Sequence, residues 1–290
     1  MEKFVKDKKQ WNKPEKPCCL VLLVVGLMGA ASLVALFSRT PYSSQLFCSA
    51  GAWGRRAAEK TTTTTTTTQL EVEAILHYAT STVVPQQSHG EITVTLDVLK
   101  SVAPCNFLVF GLGHDSLMWA SLNSRGATFF LEEDPAWFKT VLKDAPWLVA
   151  ESVPYRTQLS EADKLLQHYQ TEPSCRAKNS FLRGNSKCRL ALNMLSHKVY
   201  DAEWDAIMID APRGYFAEAP GRMAAIYSAA VMARNRKKSG VTHVFLHDVD
   251  RRVEKMYAEK FLCNKHLVKA VGRLWHFEIP PATNADSDFC

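Results

Sequence analysis

The chain predicts an α/β fold, a Rossmann-like and mostly parallel sheet with an antiparallel C-terminal edge. Three observations carry this. From Gln69 onward, short apolar runs alternate with stretches of helical period, the pattern of strands joined by crossover helices. Four runs, Asn106–Phe110, Ala127–Leu131, Trp204–Asp210 and Val241–Asp248, are apolar almost throughout, as strands buried on both faces require. Gly272–Pro280 instead alternates Leu274, His276 and Glu278 with Trp275, Phe277 and Ile279, the period of an antiparallel edge strand.

The connecting elements follow. Residues 69–84 predict a helix packed on the sheet before the first strand. Leu117, Trp119, Ala120 and Leu122 cover the first crossover. Ala219–Lys237 predicts an amphipathic helix whose basic end suits the negative pole of its dipole. Asp248–Leu262 predicts another helix.

The N-terminal part divides differently. Residues 1–17 carry six lysines against three acids, contributing +3 of the formal charge of +6. Residues 18–37 run twenty positions without a charge. At about 1.5 Å per residue this matches the ~30 Å hydrocarbon core of a bilayer. A cleaved signal peptide is the rival, but its apolar region spans about 7–15 residues. The expectation is a retained anchor with the basic tail cytosolic and the bulk of the chain lumenal, a single-pass type II arrangement. Residues 38–68 end in eight threonines, Thr61–Thr68, and show neither period. They read as a low-complexity stem. Residues 69–290 then form the lumenal domain. The sequence holds no Asn-x-Ser/Thr sequon.

The remaining charge is spread thinly, which argues against nucleic acid as a partner. No CxxC pair occurs, so a thiolate zinc site is not expected. In an oxidising lumen the domain's cysteines predict disulfides rather than buried thiols. Cys175 and Cys188 flank one apolar-poor loop and are the expected pair.

The segment Cys105–Asp134 carries the first site prediction. A strand leads to Gly111 and Gly113, then a helix, then a second strand ending at Glu132, nineteen residues after Gly113. The glycines let backbone approach a ligand, and a carboxylate at the next strand tip accepts ribose hydroxyls. Glu132 and Glu133 compete for that role, with Glu132 preferred. Ser116 stands where the dinucleotide fingerprint has its third glycine. That weakens a pyrophosphate cradle and disfavours a nicotinamide-dependent oxidoreductase. The looser G-x-G resembles that of S-adenosylmethionine methyltransferases.

Two more strands end in titratable groups: Asp210 on one, His247 and Asp248 on the other. Such tips face the crevice of an open α/β sheet. The pattern resembles metal-dependent O-methyltransferases, so Asp210 and Asp248 are candidate ligands for Mg²⁺, Mn²⁺ or Co²⁺. Asp210 or His247 could instead serve as the base. Asp248 also fits the N-cap of the next helix. Arg213 and Arg222 follow Asp210 closely and could grip a carboxylate.

Beyond these motifs, the segments Pro104–Asn123, Phe130–Phe138, Glu203–Lys237, Thr242–Val249 and Gly272–Pro280 resemble the plant Golgi glucuronic acid 4-O-methyltransferases. Leu76–Ser88 and Val271–Pro281 look closer to the arabinogalactan branch than to the glucuronoxylan one. The resemblance implies a class I methyltransferase fold, S-adenosylmethionine as donor and a glucuronosyl-bearing polysaccharide as acceptor. It implies a Golgi membrane protein with its catalytic domain in the lumen. Some members of the family act in xylan assembly, so a scaffold role in wall synthesis is the contrasting expectation. The retained Gly111, Gly113 and Glu132 favour the enzyme.

Overall fold

The computed structural model describes residues 69–283 and 288–290. The expected tail, anchor and stem lie outside the described residues. Among the described residues, no helix is long and apolar enough to cross a membrane.

The elements run α1 (residues 69–80), α2 (His89–Val102), β1 (Asn106–Phe110), α3 (Ser116–Leu122), β2 (Ala127–Glu132), α4 (Pro135–Asp144), β3 (Ala150–Ser152), α5 (Ala162–Thr171), α6 (His197–Asp201), β4 (Ala206–Ile209), α7 (Met223–Arg234), β5 (Thr242–Leu246), α8 (Arg252–Tyr257), β6 (Leu267–Val271) and β7 (Leu274–Ile279). One seven-stranded sheet has the order β3-β2-β1-β4-β5-β7-β6. Five strands are parallel, and β7 and β6 run antiparallel at the end. The Rossmann-like sheet is therefore as expected. The order reverses between β1 and β4, the switch point where open α/β sheets leave a crevice.

Alternation along the central strands feeds two apolar layers. Leu108, Phe110, Ile207, Ile209, Val244 and Leu246 face α5, α7 and α8. Phe107, Val109, Ala206, Met208 and Phe245 face Leu99, Trp119 and Leu148 on the other side. Both faces are covered, so these strands are apolar throughout rather than alternating.

Several elements differ from the sequence expectation. The strand Leu274–Ile279 is interior; the edge is β6, whose partly exposed residues gave no clear period. The helix expected over Ala219–Lys237 begins only at Met223, and it is not amphipathic. Met223 to Val231 and Ala233 are all buried. Its alanines make it thin enough to lie inside the core, with Ser228 Oγ accepting the Leu192 N–H. Asp248 does not cap the following helix, which starts at Arg252 with Arg251 before it. Finally, α2 was not foreseen. It opens with a capping box, Ser88 Oγ accepting from the Glu91 N–H and Glu91 accepting from the Ser88 N–H.

Cys175 and Cys188 are disulfide-bonded, as expected. A second bridge joins Cys263 to Cys290, and Cys105 is a buried free thiol. Both members of the first bridge are fully buried, and Tyr227 Oη donates to the Cys175 carbonyl at 2.9 Å. Replacing Cys175 and Cys188 by alanine is expected to cost about 3 kcal/mol, the chain-entropy value for a loop of this size. Urea unfolding of the double variant checks this; an unchanged midpoint would show that the bridge constrains nothing.

Candidate active site

Sheet register brings the expected tips to one level. Phe110 pairs with both Leu131 and Ile209, and Ile209 pairs with Leu246. The next residues on these strands, Gly111, Glu132, Asp210 and His247, therefore gather at the carboxyl end around the switch point. A cleft of about 690 Å³ opens there. Gly111, Gly113, Asp115, Glu132, Glu133, Asp210, Arg213 and Arg222 all line it.

The glycine turn is held from below. Gly111 has φ +127°, a conformation L side chains rarely adopt, and a Cβ there would stand 3.3 Å from the Ala211 Cβ. Glu132 is buried, with Oε2 accepting the Leu112 N–H at 3.0 Å and Oε1 accepting the Asp134 N–H at 2.9 Å. These bonds leave each oxygen a further lone pair for a ligand. Burial, then the neighbouring Glu133, raises the Glu132 carboxyl to about 7. Ser116 takes up the role its position requires: its Oγ accepts the Gly113 N–H at 2.8 Å. Glu133 is directed elsewhere, accepting the Arg213 backbone N–H at 3.0 Å. Asp134 caps α4 through the Ala136 and Trp137 N–H groups, ahead of Pro135.

Asp210 sits at the hub of a buried charge network. Its Oδ2 accepts from Gln87 Nε2 at 3.0 Å, and its Oδ1 lies 2.9 Å from His247 Nδ1 and 3.2 Å from Arg222 Nη2. Burial pushes its pKa up, but the His247 hydrogen bond and the Arg222 charge outweigh it and leave the carboxyl below its ordinary range. His247 is wholly buried and cannot meet an acceptor directly. It stands behind Asp210, which corrects its expected role as a base at the substrate. Its Nε2 lacks a hydrogen bond and lies 3.7 Å from Glu91 Oε1.

Two further expectations change. Arg222 is 4 % exposed and cannot serve as an open clamp for a substrate. Its guanidinium donates to the carbonyls of Pro212, His247 and Asp210 and pairs with Asp248 at 2.8 Å. It locks the β4 and β5 tips together. Asp248, expected as a metal ligand, has φ +60° and is enclosed by three arginines. Arg273 pairs with its Oδ1 at 2.6 Å, and Arg222 and Arg251 with its Oδ2 at 2.8 and 2.9 Å. Donor atoms of Asp210, His247 and Asp248 do lie within 4.8 Å of one another. A divalent ion there would nevertheless have to displace guanidinium partners and sit among three cations. The donor set fits a salt-bridged lock and does not fit a metal.

Arg213 is the exposed guanidinium at the mouth. Its Nη2 pairs with Asp134 at 2.7 Å and its Nε approaches Glu133 at 3.4 Å. Beyond it, Tyr215 and Phe216 expose their rings in an edge-to-face pair.

Sequence reasoning missed Gln87, Glu91, Asp115 and Arg251. Glu91 and Gln87 belong to a segment that follows no strand, so no tip rule points to them. Asp115 lies next to the glycine turn. Burial, then the Asp210 charge, raises its carboxyl to about 6.

The sequence profile of the IRX15/IRX15L/GXM family matches residues 90–277. Arabinogalactan O-methyltransferase 1 of Arabidopsis thaliana is 60 % identical over 269 residues, 92 % of each chain. Arabinogalactan O-methyltransferase 2 of the same plant is 54 % identical over 285 residues, 97 % of each chain. Its glucuronoxylan 4-O-methyltransferase 2 is 50 % identical over 208 residues, covering 72 % of this chain and 71 % of that one. With a profile match over most of the folded domain and relatives this similar across nearly their whole length, the chain belongs to the IRX15/IRX15L/GXM family.

Proposed function

We propose that this protein is an S-adenosylmethionine-dependent O-methyltransferase that methylates the 4-hydroxyl of glucuronic acid residues on arabinogalactan. It would act as a single-pass type II protein of the Golgi membrane, with the domain from residue 69 onward in the lumen. The observation that carries the reading is the grouping of Gly111, Glu132 and Asp210 around one cleft at the switch point. The arabinogalactan relatives are more similar, over more of the chain, than the glucuronoxylan one, which supports that acceptor.

S-adenosylmethionine, when bound, supplies an electrophilic methyl group. Glu132 would accept its ribose hydroxyls, and the positive-φ turn at Gly111 would let backbone approach it. The methyl group would go to the acceptor's 4-hydroxyl oxygen, whose proton Asp210 would accept. A carboxylate held below its usual range is a weak base. It suffices here because the hydroxyl proton becomes strongly acidic only as the oxygen is alkylated. His247 and Gln87 hold Asp210 in place. Arg213 has two of its three nitrogens on Glu133 and Asp134 and would offer the third to the uronate. The exposed Tyr215 ring beside it gives a sugar an apolar face to rest on.

Glu132 makes cofactor binding pH-dependent. Its folded pKa of about 7 stands above the ordinary carboxylate value, so the fold holds that proton too tightly. Stability from this group is greatest at low pH and falls as pH rises to about 7, while the charge that ribose hydroxyls bind appears over the same window. S-adenosylmethionine affinity should therefore rise up to about tenfold per pH unit below 7 and level off above it. Glu132→Gln should flatten this profile and weaken binding by about 1.5–3 kcal/mol, the worth of charge-assisted hydrogen bonds. Calorimetric titration across that range tests both; a flat wild-type profile with unchanged Glu132→Gln affinity would remove the ribose assignment.

A further inference from the structure

At the far end of β5 from the cleft, three donor side chains converge. His243 pairs in register with Glu278, and His276 pairs with Phe245, two positions along the same face. His243 Nδ1 lies 3.0 Å from His276 Nε2 and 3.8 Å from Glu278 Oε1. All three donor atoms lie within 4.8 Å of one another.

We propose that His243, His276 and Glu278 form a binding site for a borderline divalent cation, Zn²⁺ above all, that ties β5 to β7. Four considerations carry this. First, two imidazoles and a carboxylate are the donor set that borderline metals take, with the fourth position left to water. Second, with bonds of about 2.0–2.1 Å, neighbouring ligand atoms of a tetrahedral ion stand about 3.3 Å apart. The observed 3.0 and 3.8 Å bracket that value. Third, the histidines are held ready. His276 is buried and stacked on Phe245 with ring centroids 4.5 Å apart, and the His243 ring stacks on His276 at 5.2 Å. Glu278 is half-exposed and free to close the last few tenths of an ångström. Fourth, among the described residues no guanidinium pairs with these donors, in contrast to Asp248. Arg236, whose charge bears on His243, is paired with Asp205 at 2.8 Å. Lys269 stands opposite His276 in register, but its side chain is exposed and can turn to solvent.

The site is about 13 Å from the Asp210 level, four residues along β5 at roughly 3.3 Å each. A metal there would not touch the reacting atoms. It would clamp the last parallel strand to the antiparallel one, and so support the Asp248–Arg273 end of the same pair of strands.

The test uses the purified full-length chain, stripped with chelator and titrated with Co²⁺ as an optical probe, then with Zn²⁺ in competition. The expected result is one cobalt per chain with the intense visible bands of a four-coordinate ion, displaced by Zn²⁺. His276→Ala should weaken binding by more than the 10–100-fold that an outer partner costs. Glu278→Gln, at a half-exposed position where folding is not at stake, should weaken it about 10-fold or more. Asp210→Asn should leave it unchanged. Absence of those bands, or bands lost in Asp210→Asn and kept in Glu278→Gln, would overturn the proposal. Methyl transfer is not part of the readout, so the outcome is independent of the proposed reaction.

Discussion

Arg222→Met is expected to destabilise the fold by about 3–5 kcal/mol, the cost of removing one partner from a buried ion pair. The guanidinium satisfies three carbonyls and two carboxylates from the β4 and β5 tips. Without it, the Asp248 and Asp210 carboxylates lose the cation that links them, and Asp248 keeps only Arg251 and Arg273. Arg222→Lys should recover little, because a point charge cannot reach five acceptors arranged around a planar fork. Urea unfolding of both variants checks this. A change below about 1 kcal/mol in Arg222→Met would mean that the network is redundant and that the arginine is free for another role.

Asp210→Asn is expected to lower kcat by about 10²–10⁴-fold, the range of a positioned base. The amide keeps the shape and can still face His247 and Gln87, so the fold and cofactor affinity should survive. The separation of effects matters more than the size. Loss of kcat with intact S-adenosylmethionine binding places Asp210 at the acceptor hydroxyl. Equal losses in binding and turnover would instead make it a cofactor contact.

The sheet and most of its crossovers were legible from sequence because buried parallel strands are apolar without interruption. β1, β2, β4 and β5 are recognisable for that reason. β6 and β3 were not, since short edge strands with exposed residues have neither run nor period. At the site, tip position was legible and side-chain commitment was not. Glu132 and Asp210 stand where a strand-tip rule puts them. Nothing in the spacing of Arg222 from Asp210 distinguishes a clamp open to solvent from a buried lock. That difference arises from α7 entering the core, which its run of alanines permits. Likewise, Asp248 reads as a metal ligand only until Arg251, three residues on, and Arg222 and Arg273, brought in by the fold, are seen to enclose it. The approach of Glu91 to within 3.7 Å of His247 spans α2 and β5 and has no local signature.

The most direct test of the proposed reaction is methyl transfer from labelled S-adenosylmethionine by the purified chain, offered glucuronosyl and glucosyl arabinogalactan oligosaccharides and glucuronoxylan fragments side by side. The proposed reaction predicts a 4-O-methyl group on the glucuronosyl arabinogalactan acceptor. It also predicts little transfer to the glucosyl one, because polar groups built for a carboxylate are left unpaired by an acceptor lacking it. Arg213→Ala should reduce that preference while cofactor binding persists. Equal methylation of glucosyl and glucuronosyl acceptors would contradict the account, as would a cofactor-loaded protein that methylates none of them.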